Sequence, residues 1–224
     1  MHSPAPSQEH QFALKTEVEL IGRVTSVDAH LTVLAVDARW GATWDAVVRD
    51  FDAMKALVAT PAFTRASAYD VAVGAGRGRL FQVGAVGTGY AAIYRVGDRI
   101  VVVEPDAEYL NANRDDSDPI DVAPLLQNLL RKSPPQKRRP VGHLLVTSGQ
   151  MLVGNMWSDY TKCAANLERL RGAASFTVGD EDDGLVFAVP PGRYALHAVE
   201  VKPPWRARGP AHERIGMMHF VLER

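Results

Sequence analysis

Residues 184–201 read GLVFAVPPGRYALHAVEV. Two apolar runs, LVFAV and YALHAVEV, flank Pro190, Pro191, Gly192 and Arg193. Proline and glycine fix a turn there, and Tyr194 is expected to pack at its corner. Each flanking run has strand length and strand composition. A second stretch of the same kind is GHLLVTSGQMLVGNMW, residues 142–157. Ser148-Gly149 lies between two apolar runs and signals a hairpin, because glycine tolerates positive φ. These two stretches set the class: a β-rich globular chain.

Working outward, the same alternation recurs. In LKTEVELIGRVT (14–25), Thr16, Val18 and Leu20 alternate with Lys15, Glu17 and Glu19, the period of a half-buried strand. LTVLAVD (31–37) is short and apolar enough for a buried strand, with SVDAH as the intervening turn. YDVAVG, RLFQVGAV, GYAAIYRV and RIVVVE fill 69–104 and read as an antiparallel meander with turns at 86–89 and 96–98. SFTV, at 175–178, and the closing IGMMHFVLE, at 215–223, complete the strands. The period changes to helical over 43–58, where Trp44, Val47, Val48, Phe51, Met54 and Val58 share a face and Thr43 is the N-cap. A short helix is expected from Asp121, with Leu125, Leu126, Leu129 and Leu130 inward. Another follows Ser158, with Tyr160, Cys163, Ala164, Leu167 and Leu170 on one face and Gly172 at its end.

The expected class is α+β, mostly β, as two antiparallel β-sandwich-like units, each with a short helix. The boundaries are a disordered tail over 1–11, an N-terminal unit over 12–131, a basic proline-rich connector over 132–141, and a C-terminal unit over 142–224. RLFQVGAVGTGYAAIYRV and GLVFAVPPGRYALHAV follow a similar order, and VTSVDAHLTVLA and VTSGQMLVG share a start. Internal duplication and the generic likeness of antiparallel β units both account for this.

The 224 residues are 46% hydrophobic and 23% charged, with a formal net charge of −1. A chain so balanced carries no global field toward nucleic acid or anionic lipid. The basic stretches 131–139 and 202–214 lack interleaved aromatics beyond Trp205, so they read as solvated loops. The first residues, MHSPAPSQEHQ, lack the apolar core of a secretory signal, and no stretch reaches membrane-spanning length. A lone cysteine, Cys163, cannot form an internal disulfide, which fits a cytoplasmic setting.

No catalytic signature is recognisable, and no metal or cofactor is expected. GAGRGR (74–79) lacks the helix a phosphate loop needs and reads as a hairpin. The seven histidines show no helical i, i+4 or His-x-His spacing. An enzyme with an unfamiliar site would draw on His143, His197 or Cys163. The clustered chemistry is acidic: Asp115, Asp116 and Asp118 in one turn-rich segment, Asp180, Glu181, Asp182 and Asp183 in another. Neither fits a calcium loop, which needs a central glycine and a distal glutamate. Such carboxylates can dock in a basic cleft, imitating phosphates.

The segment GLVFAVPPGRYALHAVEV resembles the closing hairpin of small bacterial β-sandwich immunity proteins of polymorphic toxin systems, and relatives of the competence-nuclease inhibitor. The resemblance implies a cytoplasmic protein that neutralises a protein toxin or effector by binding it. A third expectation is an accessory protein of a secretion apparatus.

Overall fold

The computed structural model describes residues 17–25, 32–44, 68–82, 90–103, 126, 139–156, 158, 160, 175–178, 183–201 and 215–223. Among the described residues twelve strands follow in chain order. They are β1 (Val18–Thr25), β2 (Thr32–Asp37), β3 (Ala68–Val73), β4 (Gly76–Gln82), β5 (Tyr90–Val96) and β6 (Arg99–Val103). Then come β7 (Arg139–Val146), β8 (Gln150–Asn155), β9 (Ser175–Val178), β10 (Gly184–Ala188), β11 (Gly192–Val201) and β12 (Ile215–Leu222). One helical turn, α1 (Ala38–Gly41), follows β2. The mostly β, antiparallel class holds. Leu126 is helical and buried, as expected of the short helix from Asp121. The rest of that helix, and nearly all of those over 43–58 and after Ser158, lie outside the described residues.

The strands form two six-stranded sheets. The first runs β1-β5-β6-β12-β11-β7, the second β3-β4-β2-β8-β10-β9. Their inner faces share one core, with Val24, Val33, Phe81, Ile93, Val102, Val153, Phe187, Leu196 and Phe220 in a single buried cluster. Alternation sends the intervening residues outward. Leu34, Val36, Leu152 and Val186 join Trp44, Met156 and Tyr160 over the second sheet. Tyr94, Val101, Val103 and Met217 join Leu126 over the first. Both sheets are therefore apolar on both faces, which explains why β2 reads as an uninterrupted apolar run.

Substituting β1–β6 by β7–β12, in order, reverses each sheet onto itself. Each half of the chain supplies three strands to each sheet, and the halves meet along β6·β12 and β2·β8. Local irregularities repeat too. β1 bulges against β5 between Leu20 and Gly22, and β7 bulges against β11 so that Gly142 faces Leu196 while Pro140 faces His197. A Cβ on Gly22 would lie 2.8 Å from Leu185, and one on Gly142 would lie 3.1 Å from Arg79. Each bulge glycine thus lets a side chain of the other half approach. The similar order of the two halves, for which the sequence leaves duplication and generic likeness both open, extends to the strand order of the sheets. Its register differs from the textual match, however: Ala91, not Tyr90, takes the place of Tyr194, and Leu144, not Val146, takes that of Val24.

Three connections differ from the reading as hairpins. β7 pairs with β11 and β8 with β10 and β2, so the Ser148-Gly149 turn crosses from one sheet to the other, with Gly149 at φ +77. The PPGR turn also crosses, since β10 and β11 lie in different sheets. The meander over 69–104 is split: β3 pairs with β4 and β5 with β6, in separate sheets. A turn reverses the chain whether or not its flanking strands hydrogen-bond, and here the shared core rewards crossing. The GAGRGR segment is the expected hairpin, with Val73 opposite Gly76. β7 begins at Arg139, so the last residues of the 132–141 connector are strand.

Candidate functional site

Corners at one end of the sandwich converge on a buried carboxylate, that of Asp37. Asp37 closes β2 and caps α1, its Oδ1 accepting from the Arg39 N–H at 3.2 Å. Its Oδ2 reaches the β7–β8 corner, accepting from Thr147 N (2.7 Å), Thr147 Oγ1 (3.0 Å) and Ser148 N (3.1 Å). Burial works to raise the Asp37 pKa, but the donors from Ser148, Thr147 and Arg39 outweigh it and hold the carboxyl below its ordinary value. Thr43, expected as an N-cap, donates its hydroxyl back to the Trp40 carbonyl at 2.7 Å. Val189 N donates to Gly149 O at 2.9 Å, fastening the β10–β11 corner to the β7–β8 corner.

Tyr194 sits at that corner as expected. It is buried, and its hydroxyl donates to the Pro190 carbonyl at 2.6 Å. Burial pushes its pKa up to about 12, against the opposing pull of the Arg95 charge. The neutral phenol is the form the fold favours. Its stabilisation is full below the ordinary tyrosine value of about 10 and is lost as pH rises through about 12. Tyr194→Phe leaves the carbonyl unpaired and is expected to lower stability by about 1–2 kcal/mol, measured by urea unfolding near neutral pH.

Beside Tyr194 a cleft of about 430 Å³ opens between the sheets. Its walls are Ile100, Val189, Pro190 and Leu222, with the Gly97–Asp98 turn at the mouth. Arg95 enters it because it has inward parity on β5. Tyr94 and Val96 belong to the outer cluster, whereas Ile93 belongs to the inner core. The Arg95 Nη2 donates to Ala188 O at 2.9 Å, and Nη1 lies 3.8 Å from the Glu19 carboxylate. Both members of that ion pair are well exposed, so it contributes little.

Of the acidic residues singled out in sequence, Asp183 is the described one. Its carbonyl accepts from Asn155 N (2.7 Å) and from the Tyr160 hydroxyl (3.0 Å), and its Oδ1 is buried without a hydrogen-bond partner. Asp180, Glu181 and Asp182 lie outside the described residues, as do Asp115, Asp116 and Asp118. Residues 179–183 link β9 to β10, an antiparallel pair in which β9 is the sheet's edge.

The histidines considered for an unfamiliar active site lie on one sheet, and Cys163 lies outside the described residues. His143, on β7, stands opposite Ala195, with Nε2 3.2 Å from the Glu223 carboxylate, which also pairs with Arg193 at 2.9 Å. His197 stands directly opposite His219 across β11 and β12, a juxtaposition that spacing along one strand could not reveal. Among the described residues, no group of three or more His, Cys, Asp or Glu could hold a metal ion, and no helix is long and apolar enough to cross a membrane. Arg79 closes the open side of β7, its Nε donating to His143 O at 2.7 Å. Asp70 pairs with Arg79 at 3.6 Å and with Arg77, and the Arg77 guanidinium holds the Asp70 carboxyl below the usual range.

Comparison of the chain with protein-family models, with curated proteins and with solved structures finds no match.

Proposed function

We propose that this chain is a cytoplasmic binding protein that neutralises a protein toxin or effector by occluding its site. The observation that carries the reading is the placement of Asp180, Glu181, Asp182 and Asp183 in the link between two paired strands at a sheet edge. The base of that link is held by two hydrogen bonds to the Asp183 carbonyl. Carboxylates clustered in one short link suit a basic cleft, where complementary charge speeds association and selects the partner. The acidic segment with Asp115, Asp116 and Asp118 supplies a second patch of the same sign.

Co-purification with the product of the adjacent gene tests this directly. The expected complex weakens at least tenfold in the triple variant Asp180→Asn, Glu181→Gln, Asp182→Asn, with a shallower dependence on salt. A complex whose affinity and salt dependence are unchanged by the triple variant contradicts the acidic docking surface. Absence of any complex at micromolar concentration contradicts the inhibitor reading itself.

A further inference from the structure

The cleft beside Tyr194 lies where β10 ends, whereas the acidic link joins the start of that strand. Three features bear on what it could hold. Its volume of about 430 Å³ lies within the roughly 300–1,000 Å³ of small-ligand clefts. Ile100, Val189, Pro190 and Leu222 form an apolar wall, and Asp98 and Arg99 complete the lining. One guanidinium, that of Arg95, enters from inward parity on β5, where the sandwich otherwise places apolar side chains.

The hydrogen bonds of Arg95 orient it without exhausting it. Nη2 is held by the Ala188 carbonyl, and the Glu19 carboxylate stands 3.8 Å from Nη1 on the exposed side. A guanidinium has five N–H donors in a planar fork, so donors remain for a carboxylate. The Tyr194 hydroxyl is committed to Pro190 O, and Arg99 and Asp98, which also line the cleft, stand 3.9 Å apart and offset one another, so Arg95 is the inward cation available to a ligand. Glu19 already offsets part of that charge. A singly charged head fits one partly offset cation better than a dianionic phosphate does.

We infer that this cleft binds a small monocarboxylate with an apolar tail, its head on Arg95 and its tail against Ile100, Val189 and Leu222.

Isothermal titration of the full chain with sodium octanoate, octan-1-ol and octylammonium chloride tests the inference. Octanoate is expected to bind one-to-one with submillimolar affinity, at least tenfold tighter than octanol, with no binding of octylammonium. Arg95→Gln should remove the preference for octanoate over octanol, and Arg95→Lys should retain much of it. Since Arg95→Gln also loses the bond to Ala188, thermal unfolding must show that the variant is folded. If it is not, Leu222→Ala, at the partly buried part of the apolar wall, tests the cleft instead: weaker octanoate binding is expected, and unchanged affinity overturns the proposal. Equal binding of octanoate and octanol, unchanged preference in folded Arg95→Gln, or no octanoate binding at about 5 mM would overturn the proposal. So would capture of a peptide through its C-terminal carboxylate under conditions where octanoate fails to bind.

Discussion

Phe81→Ala is expected to destabilise the protein by about 3–5 kcal/mol, and Phe187→Ala by a similar amount. Both rings are fully buried in the cluster between the sheets. Phe81 lies on β4, and its ring packs on Phe220 of β12, in the other half of the chain, at 5.8 Å between centroids and a tilt of 60°. Phe187 lies on β10, the strand that takes the place of β4 when the halves are exchanged. Each truncation opens a cavity in a core that both halves line, so neither half can relax alone to fill it. In a chain of this size each kcal/mol shifts the melting temperature by about 2–4 °C, so either variant is expected to melt roughly 6–20 °C below the parent. Urea unfolding gives the free energies. Losses below about 1 kcal/mol for both variants would mean that these rings do not pack as described.

Asp37→Asn is expected to cost about 2–3 kcal/mol at pH 7. The carboxylate serves four donors from two separate segments; an Asn amide has a single acceptor oxygen, so one segment faces an N–H instead of an acceptor and the other loses its charge-assisted bonds. The effect depends on pH, and its sign follows from the lowered pKa. Because the folded value lies below the ordinary 3.8, Asp37 contributes stability that is fully present above about 4 and is lost as pH falls through the folded value. The gap between parent and variant should therefore be constant from pH 5 to 8 and narrow below about 4. Urea midpoints measured across that range check it. A gap that widens toward low pH would contradict the hydrogen-bonding assignment.

Most of the strands were legible as strands. The alternations in GYAAIYRV and RIVVVE, and the apolar runs of LTVLAVD and LVFAV, correspond to β5, β6, β2 and β10 within a residue or two. What the text could not carry was the sheet to which each strand belongs. Period-2 alternation says that a strand has two faces, not which neighbour it pairs with. Ser148-Gly149 and Pro190-Pro191-Gly192 mark reversals, and the reversals occur, but as corners between sheets. This is why two units in sequence share one core in space. The continuous apolar character of β2 and β8 was a usable hint, because strands buried on both faces need cover on both sides.

The site was less legible. Asp37 ends an apolar run, which suggests a cap, but its donors at 147–148 are more than a hundred residues away. The cleft draws on β5, on the corner after β10 and on the end of β12, so no contiguous motif encodes it. One signal was available: Arg95 shares parity with Ala91 and Ile93, and a charge at core parity marks a position with a special task. The cross-strand pair His197 and His219 depends wholly on register. Tyr194 was readable because the residues that fix its corner adjoin it in sequence.

The central structural claim is that the two halves build one cooperative sandwich. Differential scanning calorimetry of the intact chain tests it most directly, with Phe81→Ala and Phe187→Ala run beside the parent. A shared core gives a single transition whose calorimetric and van't Hoff enthalpies agree, shifted as a whole by either substitution. Two separable transitions, each moved only by the substitution in its own half, would contradict it.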